Sequence, residues 1–214
     1  MSRAIYLLSP TAKEGTIDLP MIDFSVTARS IDFSQSDTLI FTSKQAVVTA
    51  DKIDITWKNY PCIAIGPATK KQIEDLGGEV IYYPRSFYGE ILSADIAQFF
   101  RELNLLYLRP KEVSFDSKSF LEKEGITLQE QIIYETSCLK YTLEEKPSKD
   151  AIIIFTSPST IHCFFKNFTW DESYTAVVIG KATKIHLPVN AEYVVAERAL
   201  ISSCIEKAKE IENY

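Results

Sequence analysis

The chain carries two signatures, each twice, and the two copies keep the same spacing. Residues 39–46 read Leu-Ile-Phe-Thr-Ser-Lys-Gln-Ala and residues 153–160 read Ile-Ile-Phe-Thr-Ser-Pro-Ser-Thr. Further on, Ala64-Ile65-Gly66-Pro67-Ala68-Thr69-Lys70 matches Val178-Ile179-Gly180-Lys181-Ala182-Thr183-Lys184. Gly66 lies 25 residues after Phe41, and Gly180 lies 25 after Phe155. Chance does not hold two motifs in phase, so the chain is read as two structurally similar halves. Two such halves commonly form one site between them.

A length of 214 residues allows two domains of about a hundred, each able to bury a core. Net charge is −6 and the pI about 5.1, which argues against nucleic acid and anionic membrane surfaces as partners. Any anionic ligand must therefore be held by local donors. No apolar run approaches the length of a membrane span, and the stretch Ala4–Leu8 breaks at Ser9-Pro10, too early for a signal-peptide core. Cytoplasmic residence is the expectation, and Cys62, Cys138, Cys163 and Cys204, scattered with no Cys-x-x-Cys, are read as free thiols in a reducing compartment. The two histidines, His162 and His186, are not in ligand spacing, and no Gly-x-Gly-x-x-Gly or Walker A loop is present. The expectation is chemistry without metal or cofactor.

Apolar runs at Thr38–Phe41, Cys62–Ile65, Val80–Tyr83, Leu105–Leu108, Ile152–Phe155, Ala176–Ile179 and Tyr193–Val195 read as buried strands. Helical spacing falls at Ala46–Asp51, Ala68–Leu76, Ile91–Leu103, Ser117–Glu124, Ser159–Phe165 and Ala199–Ile211. This alternation predicts an α/β fold of two similar domains, their parallel sheets flanked by helices. The first copy is followed by Leu106-Tyr107-Leu108-Arg109-Pro110; the second has no such strand, but Tyr6-Leu7-Leu8-Ser9-Pro10 stands at the N-terminus. The simplest account makes residues 1–23 plus 138–214 one discontinuous domain and 30–133 the inserted one. The linkers, 22–30 and 131–139, are rich in β-formers and predict a two-stranded β-ladder hinge.

Thr42-Ser43 and Thr156-Ser157 stand where a strand gives way to a helix, and Thr69 and Thr183 occupy similar places. Helix capping explains them in part: Thr42-x-x-Gln45 and Thr69-x-x-Gln72 fit a capping box, and Ser157-Pro158 an N-cap followed by proline. Binding is compatible with capping, because parallel sheets bind ligands beyond the strand carboxyl ends, where helix N-termini favour anions. Lys44, Lys70, Lys71, Lys181 and Lys184 lie in or near these turns, and Arg109-Pro110-Lys111 follows the third strand. The pattern suits a ligand with dispersed carboxylates. Tyr134, on the second crossing, is either packed as core or presented as a hydrogen-bond donor and weak acid.

The ordered set Phe41-Thr42-Ser43, Ile65-Gly66-Pro67-Ala68-Thr69, Ile133-Tyr134-Glu135-Thr136, Phe155-Thr156-Ser157-Pro158-Ser159 and Ile179-Gly180-Lys181-Ala182-Thr183 resembles the uroporphyrinogen-III synthase family across nearly the whole chain. The resemblance implies a monomeric, cofactor-free enzyme that cyclises hydroxymethylbilane, a linear tetrapyrrole polycarboxylate, with loss of water and inversion of ring D. It maps the family's tyrosine onto Tyr134 as the catalytic candidate. It maps the family's Ser/Thr positions at the strand ends onto Thr42, Ser43, Thr69, Ser157, Ser159 and Thr183 as substrate-binding candidates; the turns themselves add Lys44, Gly66, Arg109, Gly180 and Lys181, and closure of the two domains would exclude water. The chain departs from the family at Lys181, where proline is common, and at Arg109-Pro110, where Arg-Gly is frequent. The alternatives are a two-lobed, non-catalytic binding protein for a polyanionic metabolite, and a cofactor-free isomerase or aldolase. The second lacks a convincing His or Lys nucleophile.

Overall fold

Alternating strands and helices are what the apolar runs dictate, and a computed structural model describes them over residues 2–212. In chain order the elements are β1 (Ile5–Leu7), β2 (Ile17–Asp18), β3 (Ile22–Val26), β4 (Thr38–Phe41), α1 (Lys44–Ile53), β5 (Pro61–Ala64), α2 (Pro67–Asp75), β6 (Glu79–Tyr82) and α3 (Gly89–Phe99). There follow β7 (Leu105–Pro110), α4 (Ser117–Lys123), β8 (Leu128–Cys138), β9 (Ile152–Phe155), α5 (Pro158–Asn167), β10 (Thr175–Val178), α6 (Lys181–Lys184), β11 (Glu192–Val195) and α7 (Ile201–Ile211). The chain divides into two compact units. One holds the N-terminal residues through Asp23 and the chain from Ser137 onward; the other is Phe24–Thr136.

In the first unit the strand order is β11-β10-β9-β1-β2, with every neighbouring pair parallel. β9 is buried along its whole length, as a parallel strand covered on both faces must be. Alternation sends Ile152 and Ile154 to one face, where they pack with Ile5, Leu7 and the Cys204 and Ala208 side of α7. Phe155 meets α5 instead, edge-on to Phe164 at 5.6 Å between ring centroids.

The second unit has the order β3-β8-β7-β4-β5-β6. β4 through β8 are joined by parallel pairings. Leu39, Phe41, Leu106 and Leu108 pack towards α1, with Phe41 edge-on to the fully buried Trp57 at 5.5 Å. Ile40, Leu105 and Tyr107 face the other way and cluster with Leu92 and Ile96 of α3 and Leu121 of α4. The two units share a plan: Ile154 stands opposite Leu7 in one sheet, and Ile40 opposite Tyr107 in the other. The connection differs, because β7 follows β4 in the chain whereas β1 precedes β9.

Two local expectations are corrected. The helix start expected near Thr183 is a single turn, α6, and not a full-length helix. The cysteines are not all free: Cys138, ending β8, is disulfide-bonded to Cys163 of α5, with their Cα atoms 5.2 Å apart. Tertiary folding brings that pair together across 25 residues, which spacing in the sequence does not reveal. Cys62 and Cys204 are free and buried, and burial pushes their thiols up to about 12 and about 11 respectively, away from the reactive thiolate.

The turn opening α5 is a reciprocal cap. Ser157 Oγ accepts from Thr160 N–H at 3.3 Å, and Thr160 Oγ1 accepts from Ser157 N–H at 3.3 Å, with Pro158 in the first turn. Ser157→Ala leaves the Thr160 N–H without its partner. A loss of about 1 kcal/mol is expected, read as a melting temperature lower by about 2–4 °C in a chain of this size. An unshifted melt would show that water replaces the cap without cost.

Candidate functional site

The carboxyl end of β4 is where the first repeated motif does something its second copy does not. Consecutive side chains on an extended backbone point to opposite faces of a sheet. Thr42 and Ser43 therefore diverge, and each meets a tyrosine. Thr42 Oγ1 lies 2.7 Å from the phenol oxygen of Tyr107, and Ser43 Oγ lies 2.9 Å from that of Tyr134. Tyr107 comes from β7 among the residues facing α3 and α4, and Tyr134 from β8 among those facing α1. Both tyrosines are only 4% exposed.

Ser43 is also the N-cap of α1, its Oγ accepting from Ala46 N–H at 3.0 Å. This moves the expected cap by one residue and leaves it without the reciprocal bond of a capping box. Thr42 is taken by Tyr107, and Gln45 turns along the helix to Thr49 Oγ1 at 3.1 Å. Thr69 and Thr183 are not caps either. Pro67 occupies the first turn of α2, so the cap falls on Gly66, and Gly180 caps α6, where Lys181 takes the place of that proline. Both threonines sit one turn in and are buried.

Burial raises the Tyr134 phenol above the usual tyrosine range, against the opposing Ser43 hydrogen bond. Tyr107 is pushed up to about 12, chiefly by burial. Both are therefore protonated donors at neutral pH. Phe24 packs edge-on to Tyr134 at 5.8 Å and fixes its ring.

Arg109 is already engaged inside its own unit. Its Nε lies 3.2 Å from Glu130 Oε1, an ion pair without hydrogen-bond alignment, and its Nη1 donates to the carbonyls of Pro110 and Lys111 at 2.9 and 3.0 Å. Lys44 and Lys181 stand exposed at the first positions of α1 and α6. Lys70 lies over the ring of Tyr83 at 5.2 Å, and Lys184 over that of Tyr193 at 4.6 Å. Lys71 is paired along its helix with Asp75 at 2.6 Å.

Gly66 is extended, so its backbone does not demand glycine; the ring of Phe87 does, lying 2.9 Å from where a Cβ would be. Gly180 is also extended, and a Cβ there would meet nothing within 4 Å. Its backbone is thus open to a ligand. Ser159 is exposed on the first turn of α5. Among the described residues no group of three or more His, Cys, Asp or Glu side chains is arranged to hold a metal ion, and no helix is long and apolar enough to cross a membrane.

Sequence reasoning singled out Thr42, Ser43 and Tyr134 but missed Tyr107 and Phe87. The signal for Tyr107 was the one polar side-chain atom in the apolar run Leu105–Leu108, which burial obliges to find a partner.

A family model described as uroporphyrinogen-III synthase HemD matches residues 14–206. A curated relative, the porphyrin biosynthesis protein HemD of Ruminiclostridium josui, is 29% identical over 157 residues. The match takes in 69% of this chain but only 31% of the relative, so this chain spans about a third of that protein's length. Among solved structures, uroporphyrinogen-III synthetase from Helicobacter pylori aligns over 98% of this chain and 99% of its own, with 26% identity and a TM-score of 0.79. A mutant uroporphyrinogen III synthase from the extremely thermophilic bacterium Thermus thermophilus aligns over 98% of each chain at 12% identity and a TM-score of 0.63, a likeness of fold.

Proposed function

This chain belongs to the uroporphyrinogen-III synthase family, and on that premise we propose that it closes hydroxymethylbilane to uroporphyrinogen III, with loss of water and inversion of ring D. The observation that carries the chemical assignment is the Tyr134 phenol, buried, protonated and 2.9 Å from the Ser43 hydroxyl at a strand carboxyl end. The substrate bears several carboxylates. The helix N-termini at Ser43, Gly66, Ser157 and Gly180, with Thr42, Ser159 and the lysines beside them, supply donors in number. Thr69, Thr183 and Arg109 are assigned to shaping these turns from within.

Departure of the ring-A hydroxyl leaves an electrophilic azafulvene, and unaided closure gives the uninverted isomer. The protein's main task is therefore positional: to hold the chain so that the substituted carbon of ring D attacks, through a spiro intermediate. Donation from Tyr134 to the departing hydroxyl is the acid contribution. We assign the reaction to a cytoplasmic monomer working without metal or cofactor. The family match disfavours the reading as a non-catalytic binding protein.

The test is to supply enzymatically generated hydroxymethylbilane to purified, exhaustively chelated protein and to separate the isomers after oxidation. Isomer III above the spontaneous background is expected. Formation of isomer I alone, at the rate seen without protein, would overturn the assignment.

A further inference from the structure

We propose that Tyr107 is a positioning residue for Thr42: its phenol donates to Thr42 Oγ1 and leaves the threonine's own O–H turned outward as a carboxylate donor. The assignment rests on the synthase reading and adds to it a residue that no motif in the sequence marks.

The geometry is a 2.7 Å contact between the two oxygens. A threonine hydroxyl has one proton and two lone pairs, so accepting from Tyr107 does not consume its capacity to donate. A phenol donates better than it accepts, because its lone pair is drawn into the ring. Burial reinforces that direction by holding Tyr107 protonated. Ile40, Ile63 and Leu105 pack in the same cluster as the tyrosine and hold its ring. Thr42 itself is only partly buried, at the edge where the strand ends. The result is an immobile donor beneath a partly exposed hydroxyl. An oriented hydroxyl loses less freedom on binding an anion than a free rotor does.

The repeat supplies an internal control. Tyr107 stands opposite Ile40 in one sheet; the corresponding residue opposite Ile154 in the other is Leu7, which has no polar atom. The same strand plan is therefore built with leucine at this place, and folding alone does not ask for the phenol. The serine caps its helix in both motifs, Ser43 accepting from Ala46 N–H and Ser157 from Thr160 N–H, so the copies differ at the tyrosine and not at the cap. A polar tyrosine where the fold accepts leucine, aimed at a hydroxyl of the proposed binding edge, points to recognition.

Initial rates over a range of hydroxymethylbilane concentrations, for wild type, Tyr107→Phe, Thr42→Val, Thr42→Ser and the Tyr107→Phe/Thr42→Val double variant, test the assignment. Tyr107→Phe is expected to raise KM about 5–10-fold, the effect of one neutral hydrogen bond, with a smaller change in kcat. Thr42→Val should raise KM at least as much, and Thr42→Ser should recover most of the loss. The double variant should be no worse than Thr42→Val alone, because the phenol acts through the hydroxyl that is already gone. Wild-type KM in Tyr107→Phe, with only a lowered melting temperature, would make the tyrosine structural and overturn the proposal. So would independent, multiplying effects in the double variant. If Tyr107→Phe does not fold, the threonine pair decides: equal KM in wild type and Thr42→Val overturns it. Absence of turnover in wild type would be a different failure, that of the synthase reading itself, and would take this assignment with it.

Discussion

A C-terminal fragment beginning at Ser137 is expected to remain unfolded. Such a fragment keeps β9, β10, β11 and three helices but lacks β1, which lies between β9 and β2 in the sheet. Without it the pairings of Ile152, Ile153 and Ile154 with Ile5, Tyr6 and Leu7 are gone, and β9 presents an open edge. The core also loses Ile5, Leu7, Leu8 and Met21, all at most 6% exposed. Four such side chains contribute roughly 6–12 kcal/mol of burial, as much as the whole stability of a typical domain, about 5–15 kcal/mol. Phe24–Thr136, by contrast, contains β4 through β7, all but the last two residues of β8, and α1 to α4, and is expected to fold alone. Circular dichroism and thermal melts of the two fragments are the measurement. A cooperative melt of the C-terminal fragment by itself would show that β1 is dispensable.

Tyr134→Phe is expected to lower turnover by roughly 10²-fold or more, the low end of general-acid effects. The substitution is conservative in every other respect. The ring stays against Phe24, and Ser43 keeps its bond from Ala46 N–H, so α1 remains capped. What is lost is one hydroxyl proton that burial keeps in place at neutral pH. The product should still be isomer III, because ring-D selection is attributed to how the substrate is held. The initial rate, with isomers separated after oxidation and corrected for spontaneous closure, reads both quantities. A wild-type rate would return Tyr134 to packing. Enzyme-formed isomer I would move it from acid assistance to ring-D placement.

The α/β class was legible because fully apolar runs such as Ile152–Phe155 admit only strands covered on both faces. The repeat made one half predict the other. Helix starts were less legible. Thr42 and Ser43 are both good caps, and only the position of Tyr107 decides which hydroxyl is diverted. The partners of the candidate site escaped for a related reason. That Tyr107 stands opposite Ile40, and that β8 brings Tyr134 to Ser43, are matters of strand order and register, which local pattern does not carry. The Cys138–Cys163 bond escaped likewise: its two residues belong to a strand end and a helix that only the folded chain sets side by side.

The pairing of β1 with β9 also sets a timetable for synthesis. Ile5 is synthesised well over a hundred residues before its partner Ile152. At about 5–20 residues per second, the wait is on the order of ten seconds. Throughout it Leu7 and Leu8, destined for complete burial, have no sheet to enter. The Phe24–Thr136 unit emerges whole in the interval and is free to fold first. The nascent β1 segment is thus a sticky tether, open to chaperones and to neighbouring chains on the same message, until the second copy of the repeat arrives to receive it.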